Sequence, residues 1–251
     1  MDFLPLIYLL TFLAGIVVSF VNSLAGGGSS LSLPLFVFAG LSPAEAHATN
    51  RFGALWGALA SAFSLGKQAG QNSFPPLITW LALSLGTLSG TFILLIIPPR
   101  GLNTIIALTI IFMSFFSPAS LENSKTLLLS ELPKKLRDGM FFLVGFYGGF
   151  IQVGFGLVFM YLFSRTFKMG ILQVNFLKGL SAALVLAISA CVLGVFGKIN
   201  LNLALIFSLG NIIGGFLGAQ VQMHISVRKI RLFTSITGIS LALWLLITTW
   251  T

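Results

Sequence analysis

The sequence predicts an all-α integral membrane protein with two inverted repeats, each a broken or re-entrant helical hairpin followed by three transmembrane helices. Three observations predict this fold: an apolar composition, an internal repeat, and a one-sided distribution of basic residues. Of the 251 residues, 57% are hydrophobic and 8% are charged, whereas a soluble domain has about a quarter charged residues. The apolar residues fall in runs near the roughly 20 residues that span a bilayer. Since lipid cannot satisfy backbone polar groups, these runs are expected to be helices.

Composition also excludes several functions. The net charge is +9, but the 14 Lys and Arg residues are spread between apolar runs, so no nucleic-acid partner is predicted. The single cysteine, Cys191, excludes an internal disulfide and a cysteine-based metal site. No Ser-His-Asp set, Walker loop or zinc-type histidine spacing is present. The chain is therefore predicted to be no enzyme and to hold no cofactor or metal.

The first half contains five apolar runs. The first lacks the basic start of a signal peptide and is expected to remain as a helix. It ends at a polar, glycine-rich segment, residues 22–30. A helix start is predicted at Ser42, with Pro43 in the first helical position and Glu45 as the capping-box acid. The runs cover about residues 4–21, 31–40, 43–65, 76–97 and 101–117.

The second half repeats this organisation after the one long polar stretch, residues 118–138. Three parts of the chain follow: a first membrane repeat (1–118), a cytoplasmic linker (119–138) and a second membrane repeat (139–251). Apolar runs in the second half cover about residues 139–151, 155–164, 170–196, 200–223 and 229–250.

Five features recur in the same order in both halves, which indicates a repeat. Their aligned pairs are Gly15…Asn22 with Gly145…Gln152, Gly26–Gly28 with Gly154–Gly156, Thr49-Asn50-Arg51 with Val174-Asn175-Phe176, Gly66…Gly70 with Gly194…Gly197, and Gly86-xxx-Gly90 with Gly210-xxx-Gly214. The two Gly-xxx-Gly motifs lie inside uninterrupted apolar helices, so close helix packing is the favoured interpretation for them.

Basic residues decide between two topologies. If the glycine-rich segment of each half is only a kink, Lys and Arg outside the helices divide six and six between the two sides. If it reverses the chain, only Arg100 and Lys198 lie on one side. The other side then holds Lys67, Lys125, Lys134, Lys135, Arg137, Arg165, Lys168, Arg228, Lys229 and Arg231. The positive-inside rule favours reversal. Both termini are then outside, residues 118–138 are cytoplasmic, and the odd number of crossings per half makes the repeats inverted. Inverted repeats with broken helices near the midplane are typical of secondary transporters.

The two glycine-rich segments are candidate binding sites. We name residues 22–30 the first break and residues 152–156 the second break. A reversal inside the bilayer must line a protein-buried or watery cavity, and a helix that begins there directs unpaired N–H groups at it. Close packing of small residues is the alternative. The candidate residues are Asn22, Gly26, Gly27, Gly28, Ser29 and Ser30, with Gln152, Gly154 and Gly156 in the second half.

Two cations lie deep inside predicted helices, Arg51 and Lys178. Cations at such depth mark a pathway or a partner, and few membrane carboxylates are available to pair with them, so a bound anion is predicted. Snorkelling to the interface, or pairing of Arg51 with Glu45, is the alternative. Asn50 and Asn175 are candidates for orienting the anion, with interhelical hydrogen bonding as the equal alternative. His47 is a candidate for proton coupling.

The first half also resembles a known family. The stretch Ala14-Gly15…Asn22-Ser23-Leu24-Ala25-Gly26-Gly27-Gly28-Ser29-Ser30-Leu31…Pro34-Leu35…Gly40-Leu41-Ser42-Pro43…Ala46…Ala48-Thr49-Asn50 is similar to the opening signature of the TauE/SafE sulfite exporters, also called toluene-sulfonate uptake permeases. The second half fits a duplicated layout but has a thinner glycine cluster. The resemblance implies transport of sulfite or small sulfonates.

The sequence thus predicts a secondary transporter of a sulfur oxyanion or sulfonate in the cell inner membrane, with the anion near the midplane between the breaks. Its expected partners are a small anion and the lipid bilayer. A coupling ion (proton or sodium) and a homodimer stay open. An anion-selective channel or a transporter of another small oxyanion is the first alternative, and a membrane enzyme or assembly partner is the second.

Overall fold

The computed structural model describes residues 4–66, 74–115, 133–167, 169–222 and 227–250. These parts contain ten α-helices and no β-strand, which confirms the all-α class. The helices are α1 (Leu4–Ala25), α2 (Ser29–Phe38), α3 (Pro43–Gly66), α4 (Leu77–Ile96), α5 (Pro99–Phe115), α6 (Lys134–Phe150), α7 (Phe155–Thr166), α8 (Ile171–Val195), α9 (Leu201–Val221) and α10 (Val227–Trp250). Most of the predicted 118–138 linker lies outside the described residues.

Four of the described helices, α1, α4, α8 and α9, are long and apolar enough to cross a membrane. Helix α3 has 24 residues but is less apolar, because it includes His47, Asn50 and Arg51. The second helix of each half is short: α2 has 10 residues and α7 has 12. At 1.5 Å per residue these lengths are about 15 and 18 Å, against a hydrocarbon core of roughly 30 Å. Neither can cross the bilayer core alone.

The first break is shorter than predicted. Helix α1 continues to Ala25, so residues 26–28 alone separate it from α2. Gly26 has a φ of 70°, in the left-handed region that glycine occupies without strain. Asn22 Oδ1 accepts the Gly28 N–H at 2.7 Å, and Ser30 Oγ donates to Gly27 O at 2.7 Å. These two side chains therefore close the turn by satisfying its backbone groups.

The second break makes a comparable turn with fewer glycines. Helix α6 ends at Phe150, and the chain passes through Gln152 and Gly154, with φ of 68° and 71°, before α7 begins. The hydroxyl of Tyr147 donates to Val153 O across this turn. Helix α6 begins at Lys134 rather than near residue 139, because a helix satisfies its own backbone even where its side chains are polar.

The predicted capping box at the start of α3 is confirmed. Glu45 Oε2 accepts hydrogen bonds from Ser42 N at 2.8 Å and from Ser42 Oγ at 2.6 Å. The Glu45 N–H donates to Ser42 Oγ at 3.4 Å. Each residue thus satisfies an unpaired backbone donor at the helix start. Glu45 is engaged by Ser42, which argues against the alternative pairing with Arg51.

Helices α1 and α9 pack through glycine, as do α4 and α6. A Cβ built on Gly214 would lie 2.0 Å from Ile16 O, and one on Gly86 would lie 2.0 Å from Phe142 O. Side-chain carbons do not approach a carbonyl oxygen so closely, so only glycine allows this packing. The packing interpretation of both Gly-xxx-Gly motifs is therefore confirmed.

The two helix pairs make equivalent contacts. Both glycines of each motif contact a carbonyl of the partner helix. Residue numbers increase in the same direction along both helices of a pair, so the paired helices run parallel. The contacts, as distances from a built Cβ, are Gly210 to Phe12 O at 2.2 Å, Gly214 to Ile16 O at 2.0 Å, Gly86 to Phe142 O at 2.0 Å, and Gly90 to Phe146 O at 2.1 Å.

Helix directions establish that the first break reverses the chain. Helix α3 runs parallel to α9, since Gly53 lies against Phe207 and Gly57 against Asn211. Helix α1 is also parallel to α9, so α1 and α3 point the same way. If α1 and α2 formed one kinked span, α3 would run opposite to α1. The described helices therefore form a hairpin at the break, as predicted.

Two pairs of helices, each with one helix from either half of the chain, run in opposite directions where they meet. In the α3–α8 pair, Ala62 lies against Gly179 and Gly66 against Phe176. In the α5–α10 pair, Asn103 Nδ2 donates to Thr249 Oγ1 at 3.1 Å, and Ser235 Oγ donates to Ser114 O at 3.1 Å. Residue numbers decrease along one helix as they increase along the other, so both pairs are antiparallel.

We expect Gly214→Ala to destabilise the fold through the α1–α9 contact. The added methyl group would overlap Ile16 O, and overpacking of this kind typically costs about 1–3 kcal/mol. The measurement is the Tm of the detergent-solubilised protein. Gly139→Ala is the matched control, because a Cβ on this α6 glycine meets no atom within 4 Å. Equal melting temperatures for the two variants would contradict the close approach of α1 and α9.

Candidate functional site

The two breaks touch each other. A Cβ built on Gly26 would lie 2.9 Å from Gly156 Cα, and one on Gly156 would lie 3.0 Å from Gly26 Cα. The tips of the two hairpins are thus in backbone contact, which a side chain at either position would prevent. This contact brings together two segments that are 130 residues apart in the sequence.

A cavity of about 60 Å³ lies beside this contact. One water molecule needs about 10–15 Å³ of such space, so the cavity has room for a small ion or several waters. Its walls come from both halves, between α1, the two breaks, α3 and α8. The polar lining residues are Ser19, Asn22, Ser23, Ser29, Ser61, Gln152 and Lys178, and no carboxylate is among the described lining residues.

Lys178 supplies the positive charge of the cavity. Its side chain is 4% exposed, and its Nζ donates to Ser23 O at 2.7 Å. Its stem passes the hairpin tip, since a Cβ on Gly156 would lie 3.4 Å from Lys178 Cδ. An ammonium group has three N–H donors, and the bond to Ser23 uses one of them. Lys178 can therefore bind a further acceptor in the cavity.

Arg51 lies elsewhere. Its side chain is fully buried, and its Nη2 donates to Phe150 O at 3.0 Å and to Gly148 O at 3.5 Å. Within the described part of the chain, its Nε and Nη1 have no hydrogen-bond partner. Arg51 is not among the residues that line the cavity. The structure therefore does not bring Arg51 and Lys178 together around one cavity.

Each of the two cations instead binds the C-terminal end of a helix from the opposite half of the chain. Lys178 on α8 bonds the C-terminal end of α1, and Arg51 on α3 bonds the C-terminal end of α6. The last carbonyls of a helix lack intrahelical partners and carry partial negative charge. Each cation thus stabilises the broken helix of the opposite half. Exposures of 0% and 4% rule out snorkelling for these two side chains.

Three other predicted site residues, Asn50, His47 and Asn175, are buried but do not line the cavity. Asn50 Oδ1 accepts the Ser32 hydroxyl at 2.6 Å, which is the interhelical bonding foreseen as its alternative, while Asn50 Nδ2 has no partner among the described residues. Both ring nitrogens of the fully buried His47 likewise have no hydrogen-bond partner in the described part of the chain. Asn175 is 7% exposed. These three residues lie outside the cavity lining.

A second cavity, of about 30 Å³, is lined by further residues of the two breaks, whereas Gly28 lines neither cavity. It is lined by Gly27 and Ser30 from the first break and by Gly154 from the second, together with residues of α5 and α10. Its described polar lining groups are neutral, which distinguishes it from the cavity at Lys178.

Sequence reasoning missed three serines of the larger cavity, Ser19, Ser23 and Ser61. A signal for the first two was present. Ser19, Asn22 and Ser23 are spaced i, i+3 and i+4, which places them on one face of α1. Ser61 gave no comparable signal, because a lone serine in a membrane helix usually bonds its own backbone.

A family model described as "Sulfite exporter TauE/SafE" matches residues 11–245, from within α1 to near the end of α10. The chain belongs to this family. The resemblance seen in the opening signature is thereby confirmed for nearly the whole chain. A TauE/SafE protein is a membrane transporter, and the described helices agree with a multi-pass membrane protein.

Relatives of this TauE/SafE chain have names of the same class. It is 25% identical over 243 residues to "Probable membrane transporter protein ORF9" of Sinorhizobium sp, covering 94% of this chain and 90% of the relative. A "Probable membrane transporter protein" of Haemophilus influenzae is 31% identical, with 84% of each chain covered. "Probable membrane transporter protein YfcA" of Escherichia coli K12 is 27% identical over 58% of this chain and 55% of the relative. No solved structure matches the chain.

Proposed function

We propose that this chain is a secondary transporter for sulfite or a small sulfur-containing organic anion, such as a sulfonate, and has no enzymatic activity. The observation that carries the proposal is the cavity between the two hairpins, lined by the buried cation Lys178 and by neutral donors. A buried cation without a carboxylate is complemented by an anion. Membership of the TauE/SafE family supports transport as the activity.

In this proposal, Lys178 holds the anion by charge, and neutral groups orient it. Ser29 begins α2 and lines the cavity, so the partially positive N-terminus of that helix lies beside the anion, although the N–H groups of Gly28, Ser30 and Leu31 are already bonded within the turn. Asn22 and Gln152 line the same space with side-chain amides. Contacts of the anion with Gly27, Gly28, Ser30, Asn50, Arg51, Gly154 or Asn175, and proton coupling through His47, stay predictions.

We also propose that the two halves are inverted repeats in the inner membrane, with both termini outside. Three observations support this. Each half has five described helices in the same order, the pairs α1–α9 and α4–α6 make equivalent glycine contacts, and the equivalent helices α3 and α8 are antiparallel. A two-fold axis in the membrane plane relates repeats in this way.

The topology can be measured by cysteine labelling. We expect an impermeant thiol reagent on intact cells to label Thr251→Cys but not Ser124→Cys, because the basic residues place the linker inside. Both positions lie outside the described residues, and Cys191 should first be replaced by Ala, since its side chain is exposed at the helix surface. Labelling of Ser124→Cys without Thr251→Cys would contradict the orientation.

The proposed function is tested by flux in proteoliposomes. We expect purified protein to give saturable uptake of sulfite and of methanesulfonate, and counterflow when the anion is present on the opposite side. Imposed proton and sodium gradients identify the coupling ion. Flux that neither saturates nor shows counterflow would indicate an anion channel, and absence of flux for every sulfur anion would overturn the proposal.

A further inference from the structure

We infer that the cavity at Lys178 selects anions with a single negative charge over dianions. The inference rests on the proposed function and narrows its substrate class: the hydrogen sulfite ion and sulfonates would bind, whereas fully deprotonated sulfite and sulfate would bind far less well. It follows from the charges and hydrogen-bonding groups that the described residues place around the cavity.

The first step is the count of full charges. Lys178 is the one ionisable side chain among the described residues that line the cavity. The other buried membrane cation, Arg51, directs its guanidinium to Phe150 O and Gly148 O and lies outside the lining. One ammonium group therefore faces the bound anion.

The second step concerns the helix ends. A helix N-terminus carries roughly half a positive charge and a C-terminus roughly half a negative one. At the first break the end of α1 and the start of α2 are separated by residues 26–28 only, and the second break joins α6 to α7 over a similarly short distance. Each break thus contributes partial charges of both signs, which largely cancel and cannot neutralise a second negative charge.

Acceptor groups in the cavity act in the same direction. Ser23 O already accepts from Lys178 Nζ at 2.7 Å. Gln152 is 8% exposed, lines the cavity, and its Oε1 has no hydrogen-bond partner among the residues that the structure describes. These oxygens stabilise a donor and not an additional negative charge. A protonated anion such as hydrogen sulfite also carries an O–H that the Gln152 oxygen can accept.

The consequence is a large difference in binding affinity between ligands with one negative charge and ligands with two. A buried charge is tolerated when it is paired and is costly when it is not. A monoanion beside Lys178 gives a neutral pair, whereas a dianion leaves one negative charge unpaired in the protein interior. We expect the dianion to bind at least about tenfold more weakly than the monoanion, since a small difference in binding free energy is enough to change the affinity tenfold.

The test uses the wild-type protein in detergent and measures ligand affinity from thermal stabilisation. Methanesulfonate is the monoanion probe, sulfate is the dianion probe, and sulfite is titrated on either side of its second ionisation. We expect sulfite affinity, relative to methanesulfonate affinity at the same pH, to fall about tenfold as the sulfite ion loses its proton, and sulfate to bind about tenfold more weakly than methanesulfonate. Methanesulfonate keeps one charge throughout, so it controls for titration of the protein itself.

A variant tests the charge count independently. Gln152→Lys adds a second ammonium to the cavity and should raise the ratio of sulfate to methanesulfonate affinity at least about tenfold. If this variant does not fold, the wild-type panel decides alone. Equal affinity of the wild-type protein for sulfate and methanesulfonate would overturn the inference while leaving the proposed function intact. Stabilisation by none of the three ions, sulfite included, would overturn both.

Discussion

Lys178→Gln is expected to reduce the affinity for methanesulfonate and sulfite by well over tenfold. The substitution keeps a polar side chain of similar length but removes the one charge that the described lining residues offer to the anion. Loss of a buried charge-assisted contact typically costs about 2–5 kcal/mol, and each 1.4 kcal/mol is about tenfold in affinity. Thermal stabilisation by each anion and saturable uptake in proteoliposomes are the two measurements.

Two controls separate charge recognition from damage to the fold. Lys134→Gln removes the same charge from an exposed position at the start of α6 and should leave affinity unchanged. Arg51→Gln removes the buried cation that bonds Phe150 O. It should therefore lower the Tm of the free protein clearly, whereas its effect on the affinity for the anion should be small. An affinity of Lys178→Gln within about twofold of wild type, which is under 0.5 kcal/mol, would contradict the assignment of the site.

Gly26→Ala is expected to destabilise the first break and the contact between the two hairpin tips. The new Cβ would lie 2.9 Å from Gly156 Cα, and the residue has a φ of 70°. Left-handed backbone costs a non-glycine residue roughly 1–2 kcal/mol, and forcing apart the two hairpin tips adds about 1–3 kcal/mol. We expect a large fall in Tm together with weaker anion binding, because Gly26 also lines the cavity.

Gly40→Ala and Gly27→Ala distinguish backbone strain from the clash between the hairpin tips as the cause of a lower Tm. Gly40 has a φ of 91° but no atom within 4 Å of its built Cβ, so it reports backbone strain alone. Gly27 also has free space around its built Cβ and should tolerate alanine well. If Gly26→Ala were no less stable than Gly40→Ala and bound the anion equally well, the contact between the hairpin tips would have no functional importance.

The apolar runs located most helices to within a few residues. The run at 76–97 corresponds to α4 at Leu77–Ile96, and the run at 170–196 corresponds to α8 at Ile171–Val195. The bilayer is the reason, because an apolar segment of this length must satisfy its backbone internally. The same reasoning failed at the end of α1 and the start of α6, where polar side chains ended the apolar run but the backbone hydrogen bonds continued.

The sequence also identified the breaks, because a glycine cluster inside an apolar run weakens the helix at that point and permits left-handed backbone. It indicated that Arg51 and Lys178 are buried, but it could not assign their partners. Carboxylates and a bound anion are the partners that the residue types suggest, whereas the structure pairs both cations with backbone carbonyls. Every residue has a carbonyl, so a sequence gives no sign of which one a buried cation will meet.

Composition and the spacing of the apolar runs determined by themselves that this chain is a helical membrane protein, and its opening signature resembles that of the TauE/SafE family. These features depend on short segments of the sequence, and any chain in a lipid bilayer must satisfy its backbone hydrogen bonds in the same way. Only the tertiary structure decided that Lys178 faces the cavity while Arg51 binds the end of α6. That difference depends on how α3 and α8 pack between the two hairpins, and long-range packing of this kind is set by the close approach of glycines on different helices.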